Sequence, residues 1–197
     1  LKLIAKSNAY QLSSQFPSEW KASYAPYYAR KFVRRLKAEE VYDSLVGATN
    51  VFTDVPIRGT DVKVRYAAEA YSPDELIRGV NDPILKEIHF FLESFGQTNR
   101  QSSERNNDGA ITQAVQLMNS PLVHRQIKAV DGSYLAGLLK QDMTEDEKIT
   151  RLYERFLVRR PAQKEIADAK DIVKSGAGGW EDLQWVLVNR VEFVHNF

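Results

Sequence analysis

The sequence predicts an all-α fold, an irregular multi-helix bundle interrupted by long aromatic-rich and polar loops. Three observations carry that prediction. Apolar residues recur at i, i+3, i+4 and i+7 in several long windows, the period of a helix with one buried face. Helix start signals of the Ser-Pro, Asp-Pro and Thr-x-x-Glu kinds stand directly before such windows. Alternation of β-branched residues, the mark of a strand, is confined to one short stretch. A chain of 197 residues fits a single helical domain or a fragment of a larger one, with 1–100 and 109–197 as N-terminal and C-terminal subdomains. Folding at this size buries roughly 70% of the unfolded surface, so the core needs no disulfide or structural metal.

The first element, LKLIAKSNAY, reads as a helix with Leu1, Ile4 and Ala5 along one side. It opens without a cap, as a helix cut from a longer architecture would. The next stretch holds Phe16, Trp20, Tyr24, Tyr27, Tyr28 and Phe32 among Pro17 and Pro26, an irregular segment pinned by its rings. RRLKAEEVYDSLVGATNVF predicts a helix that turns Leu36, Val41 and Leu45 to one side and stops at Gly47. Around Val62, Val64 and Tyr66 the pattern fits a small β-hairpin or an extended loop.

Ser72-Pro73-Asp74-Glu75 marks a helix start, and Asp82-Pro83 repeats the device before Leu85, Ile88, Leu92 and Phe95, with Gly96 as a stop. Residues 96–109 are the longest polar stretch and read as a loop. In AITQAVQLMNSPLVHRQI the spacing aligns Ile111, Ala114, Val115 and Met118, and Asn119-Ser120-Pro121 breaks the helix before a second short one. A helix follows over Ser133 to Gln141. The capping box Thr144 to Glu147 then opens a helix with Ile149, Leu152, Tyr153 and Phe156 on one face. Pro161 opens the next, through Ile166, Ala169 and Val173, and the SGAGG turn leads to a buried helix ending near Asn189, with Phe193 and Phe197 as packing residues.

Composition narrows the chemistry. Lys plus Arg total 27 and Asp plus Glu 26, a net charge of +1 that gives little long-range attraction to nucleic acid. The basic run Arg30, Lys31, Arg34, Arg35 and Lys37 reads as a solvated helix start with snorkelling stems. The absence of cysteine removes thiolate nucleophiles and redox pairs. Three histidines, His89, His124 and His195, stand too far apart for a local zinc motif, and no cofactor or metal is called for. His124 is the least ordinary of them, next to Arg125 and just past the Asn-Ser-Pro break. Acidic pairs sit in helix first turns, where negative charge is stabilising, so an enzyme reading is uncertain and leans to no. No stretch approaches the roughly 20 apolar residues of a membrane span.

Six segments together carry a family likeness: LIAKSNAYQLSS at 3–14, RRLKAEEVYDSL at 34–45, FLESFGQTNR at 91–100, SSERNNDGAITQAVQLMNSPLV at 102–123, LYERFLVRRP at 152–161 and DLQWVLVNRVEFVHNF at 182–197. In these the chain resembles the C-terminal part of the domain of unknown function 1553 family, found in large planctomycete-type bacterial proteins. Family members often carry cysteines before the acidic-Arg pair, where this chain has Ser102-Ser103 before Glu104-Arg105, and often Ser or Thr where it has Lys37. The resemblance implies a secreted, periplasmic or outer-envelope-associated module of a larger protein, partnered by that protein's other domains or by envelope proteins. It supplies no catalytic mechanism.

The landmark positions make Glu104, Arg105, Gln113 and Asn119 candidates for a polar site, His124 joins them from its place past the Asn-Ser-Pro break, and the aromatic-rich stretch offers Trp20, Tyr24, Tyr27 and Tyr28 as a candidate aromatic surface. The expected function is a helical interaction or scaffold module. The alternative is a carbohydrate-active or carbohydrate-binding accessory, and a nucleic-acid-binding module is less favoured.

Overall fold

Short polar caps set where the helices begin. In the computed structural model, which describes residues 2–57, 59–69, 81–96, 111–175 and 178–196, Asp82 accepts from the backbone N–H groups of Ile84 (2.7 Å) and Leu85 (3.4 Å) and starts the helix Pro83–Ser94. Thr144 accepts from the Glu147 N–H at 3.3 Å while Glu147 accepts from the Thr144 N–H at 2.8 Å, a complete capping box before Glu145–Leu157. Ser133 accepts from the Ala136 N–H and starts Tyr134–Leu139. Each such cap satisfies a donor the helix itself leaves open, and its loss costs about 1 kcal/mol.

In chain order the helices are α1 (Lys2–Ala5), α2 (Ala38–Thr49), α3 (Pro83–Ser94), α4 (Ile111–Asn119), α5 (Pro121–Gln126), α6 (Tyr134–Leu139), α7 (Glu145–Leu157), α8 (Gln163–Ser175) and α9 (Trp180–Val188). Short 3-10 turns occupy Ala22–Tyr27, Ala67–Glu69 and Val191–Val194. Four two-residue strands complete the described elements: β1 (Arg34–Arg35), β2 (Val55–Pro56), β3 (Lys63–Val64) and β4 (His195–Asn196).

The chain divides into two compact units. Residues 37–193 form the larger one, and α2 lies at its centre, packed by α3, α5, α6 and α7. Val41, Leu45 and Val46 on α2 are fully buried, together with Ile88, Phe91 and Leu92 on α3, Leu122 and Val123 on α5, and Leu135 on α6. Ile149 and Leu152 on α7 and Leu183 and Leu187 on α9 are equally dry, and α7, α8 and α9 pack on one another. Full burial of one such side chain contributes roughly 1.5–3 kcal/mol. Described residues on both sides of positions 97–110 build this unit, since α2 and α3 pack on α5.

Buried polar groups tie the helices at fixed heights. The Thr49 hydroxyl lies 2.8 Å from the Gln126 side-chain oxygen and 2.9 Å from the Leu45 carbonyl, its one proton shared between them, all out of solvent. Gln184 on α9 donates to the Ile127 carbonyl at 2.7 Å. Arg155 on α7 donates to the Gly47 and Ala48 carbonyls in the last turn of α2 and stacks over Tyr134. A cation there satisfies open carbonyls and the negative helix end together.

β2 and β3 form a small antiparallel hairpin, Val55 opposite Val64 and Pro56 opposite Lys63. Residues 1–36 and 194–197 form the smaller unit. Within it β1 pairs antiparallel with β4, Arg34 opposite Asn196 and Arg35 opposite His195, and Leu36 donates to the Val194 carbonyl at 2.9 Å.

Several expectations need correction. The first helix is one turn, Lys2–Ala5, with no buried residue. The helix expected from Arg34 starts at Ala38, because the basic run before it lies extended in β1. It also runs past Gly47 to Thr49 and ends on Asn50 in the left-handed region, φ 56°. Among the described side chains of α4, Gln113 and Leu117 are buried, with Ser120 following, whereas Val115 and Met118 are about half exposed. The start signal at 72–75 lies outside the described residues. The remaining predicted helices form, including all four inward residues of α7.

Candidate functional site

Tertiary folding gathers side-chain chemistry in two places. In the smaller unit, Trp20 is the hub of a ring cluster. Phe16, Tyr24 and Phe32 meet it with centroid distances of 5.2, 5.9 and 5.9 Å, all nearly edge to face. That geometry sets the positive edge of one ring against the negative face of another. The Arg30 guanidinium lies 4.1 Å from the Trp20 centroid, close enough for a cation–π contact. Lys31 hydrogen-bonds Asn196 through its ammonium and the Ser13 carbonyl through its N–H.

The four residues of the predicted aromatic surface therefore divide. Trp20 and Tyr24 are half-buried in the ring cluster, whereas Tyr27 and Tyr28 are 78% and 73% exposed. Tyr28 is turned outward by a left-handed backbone, φ 49°, at the end of the 3-10 turn. The basic run is not a helix face. Arg30 covers Trp20, and Arg34 and Arg35 form β1.

In the larger unit, Arg159 holds two carboxylates. It donates to both Glu165 oxygens at 2.7 and 2.8 Å and to both Glu192 oxygens at 3.1 and 2.8 Å. Arg190 adds an ion pair to Glu165 at 3.1 Å, and the Ala162 N–H donates to Glu165 at 2.8 Å. Bonds from Arg159, helped by Ala162 and Arg190, hold the Glu165 carboxyl down at about 2, and the two carboxylates raise Arg159 above its already high value. Burial raises the neighbouring Tyr153 hydroxyl. A carboxylate fixed in its charged form and filled with donors cannot accept or release a proton near neutral pH. The cluster is a clamp joining the α7 exit, the α8 start and the turn at Val191–Val194.

The predicted polar site is only partly described. Glu104 and Arg105 lie outside the described residues. Gln113 is 5% exposed and its side-chain oxygen has no hydrogen-bond partner among the described residues, while Asn119 at the end of α4 and His124 on α5 are exposed. Next to His124, Arg125 pairs with Glu87 of α3 at 2.6 Å. His89 sits 3.4 Å from Glu93, one turn along α3. Among the described residues no three His, Asp or Glu side chains gather as metal ligands do. A cavity of about 10 Å³ lined by Tyr42, Val64, Ile88 and Leu92 has room for roughly one water-sized sphere.

Sequence reasoning missed the Arg159 clamp, although Arg159 and Glu192 both stand in segments that carry the family likeness. It also missed how charge divides. The smaller unit carries seven Lys and Arg against Glu19 alone, a net of +6, which leaves 20 against 25 and a net of −5 for the larger one.

No curated protein and no solved structure was found to match the chain. Residues 1–173 match the family described as PSD1, protein of unknown function (DUF1553). The segment at 182–197 falls beyond that match. With the ring-cluster region, the central helices and most of the clamp inside the matched residues, the chain belongs to the DUF1553 family.

Proposed function

We propose that this helical domain is an interaction or scaffold module, and that its smaller unit is the contact side. One observation carries the reading. Of fifteen large hydrophobic side chains exposed among the described residues, seven lie on the smaller unit, which is about a fifth of the chain: Leu3, Ile4, Tyr10, Tyr27, Tyr28, Phe32 and Val33. We read that concentration of exposed apolar side chains as a surface that a partner covers. Tyrosines contribute contact area at low entropic cost, and the ring cluster holds the neighbouring backbone in place. In the larger unit, by contrast, the polar and ionic groups brought together serve as struts between helices.

The family resemblance supports a parent protein with further domains on the envelope side of the cell, and those domains or envelope proteins as partners. Binding of the 197-residue chain to the separately produced remaining domains of that parent, measured by interferometry, tests the reading. Binding that Tyr27→Ala with Tyr28→Ala weakens at least tenfold supports it. Absence of binding to every domain, together with reproducible turnover of a glycan, sinks it.

A carbohydrate-binding accessory role is the second reading, favoured by the outward faces of Tyr27 and Tyr28. Affinity electrophoresis through soluble polysaccharides separates the two, since only this reading predicts retardation that the tyrosine variants abolish.

A further inference from the structure

The net charge of +1 conceals a separation that the fold makes visible. Cations and exposed apolar side chains concentrate on the same small unit. On α1, Leu3 and Ile4 are 88% and 62% exposed and stand between Lys2 and Lys6, both exposed. Farther along, exposed Lys21 precedes the turn that presents Tyr27 and Tyr28, and Phe32 and Val33 are exposed just before the β1 arginines. Lys2, Lys6 and Lys21 make no ion pair among the described residues.

Cations recruit an anionic partner over a screening length of roughly 8 Å at physiological salt. Aliphatic side chains such as Leu3, Ile4 and Val33 gain nothing from a phosphate backbone or a sugar chain. They gain from the boundary between headgroups and acyl chains, where tyrosine rings also settle and lysines reach back to phosphates. Among the described residues no helix is long and apolar enough to cross a membrane, so such contact is peripheral.

We propose that the smaller unit docks on a membrane surface bearing anionic lipid headgroups, its lysines meeting the phosphates and Leu3, Ile4 and the tyrosines entering the interface. This rests on the reading of that unit as the contact side and names what it contacts.

Co-sedimentation of the full chain with vesicles tests it. Vesicles of equal parts phosphatidylglycerol and phosphatidylcholine should bind at least tenfold more tightly than phosphatidylcholine alone at roughly 0.01 M salt, and lose most of that advantage at roughly 1 M. Lys2→Glu with Lys6→Glu and Lys21→Glu should cost at least tenfold, and so should Leu3→Asp with Ile4→Asp. The matched reversal Lys63→Glu, Lys164→Glu and Lys174→Glu on the larger unit should change binding less than twofold. Circular dichroism establishes that each variant is folded.

Equal binding to both vesicles, or equal loss from the two lysine reversals, overturns the proposal. So does tighter binding to duplex DNA than to vesicles, which assigns the cations to nucleic acid. Failure on vesicles with tyrosine-dependent binding to a parent domain overturns it too and leaves the module reading standing.

Discussion

Arg159 grips Glu165 through two parallel hydrogen bonds, 2.7 and 2.8 Å, and reaches with the rest of its guanidinium to Glu192. Two carboxylates 27 positions apart in sequence thus share one planar cation. The fork of five donors that arginine offers is what permits this, and a lysine ammonium cannot reproduce it.

The first prediction concerns that clamp and pH. The Glu165 carboxyl titrates at about 2 in the folded chain, below its unfolded value, so its contribution to stability is full above the unfolded value and fades as pH falls toward about 2. Glu165→Gln should cost about 2 kcal/mol at neutral pH, a figure held down by solvent screening around the partly exposed arginines. Thermal melts at about pH 7 and about pH 2.5 should show the gap between wild type and variant closing in acid. A gap that does not narrow would remove the ionised carboxylate as its cause.

The second concerns Val158. This β-branched residue closes α7 with φ 56° and ψ 26° and is 89% exposed, so the strain of the left-handed conformation is offset by no packing. Val158→Gly should raise stability by about 1 kcal/mol, read as a higher urea midpoint with an unchanged slope. A lower midpoint would show that the side chain holds something in place.

Thr49 gives the third. Thr49→Val keeps shape but removes the hydroxyl held between Gln126 and the Leu45 carbonyl, stranding a buried amide whose nitrogen has no partner among the described residues. The expected loss is about 2 kcal/mol. Chemical denaturation of Thr49→Val and of Thr49→Val with Gln126→Leu distinguishes the cause: the double variant should recover stability, because both polar groups are then gone.

A fourth addresses the ring hub. Trp20→Ala removes the contact partner of Phe16, Tyr24, Phe32 and Arg30 at once. Near-ultraviolet circular dichroism should lose intensity, and limited proteolysis should cut within residues 13–33 at least tenfold faster, while sites in 145–188 keep their resistance. Uniformly faster cleavage would contradict a role confined to the smaller unit.

Local signals in the sequence were legible where the physics is local. Thr144 and Glu147 specify their helix start through bonds three residues apart, and the α7 face follows from its period alone. The face of α4 was misread for a definite reason. Gln113 and Leu117 point inward, and a buried glutamine breaks the apolar pattern that period counting relies on, while Val115 and Met118 supply a false one. The pairing of Arg34 and Arg35 with His195 and Asn196 leaves no local trace at all, since neither segment has strand composition. The clamp was not legible, since Arg159 and Glu192 stand 33 positions apart and only folding brings them to 2.8 Å. The hidden +6 and −5 could not be read without knowing where the unit boundary lies.

The β1–β4 pairing also sets an order of events during synthesis. Lys31 and its partner Asn196 are 165 positions apart. At typical elongation rates, residue 196 is added roughly 8–33 s after residue 31. Through that interval β1 has no partner strand, and Arg34 and Arg35, two cations on an unpaired edge, are the kind of side chain that discourages pairing with the wrong chain. The arginines thus suit a strand that must wait for its partner before the sheet is finished.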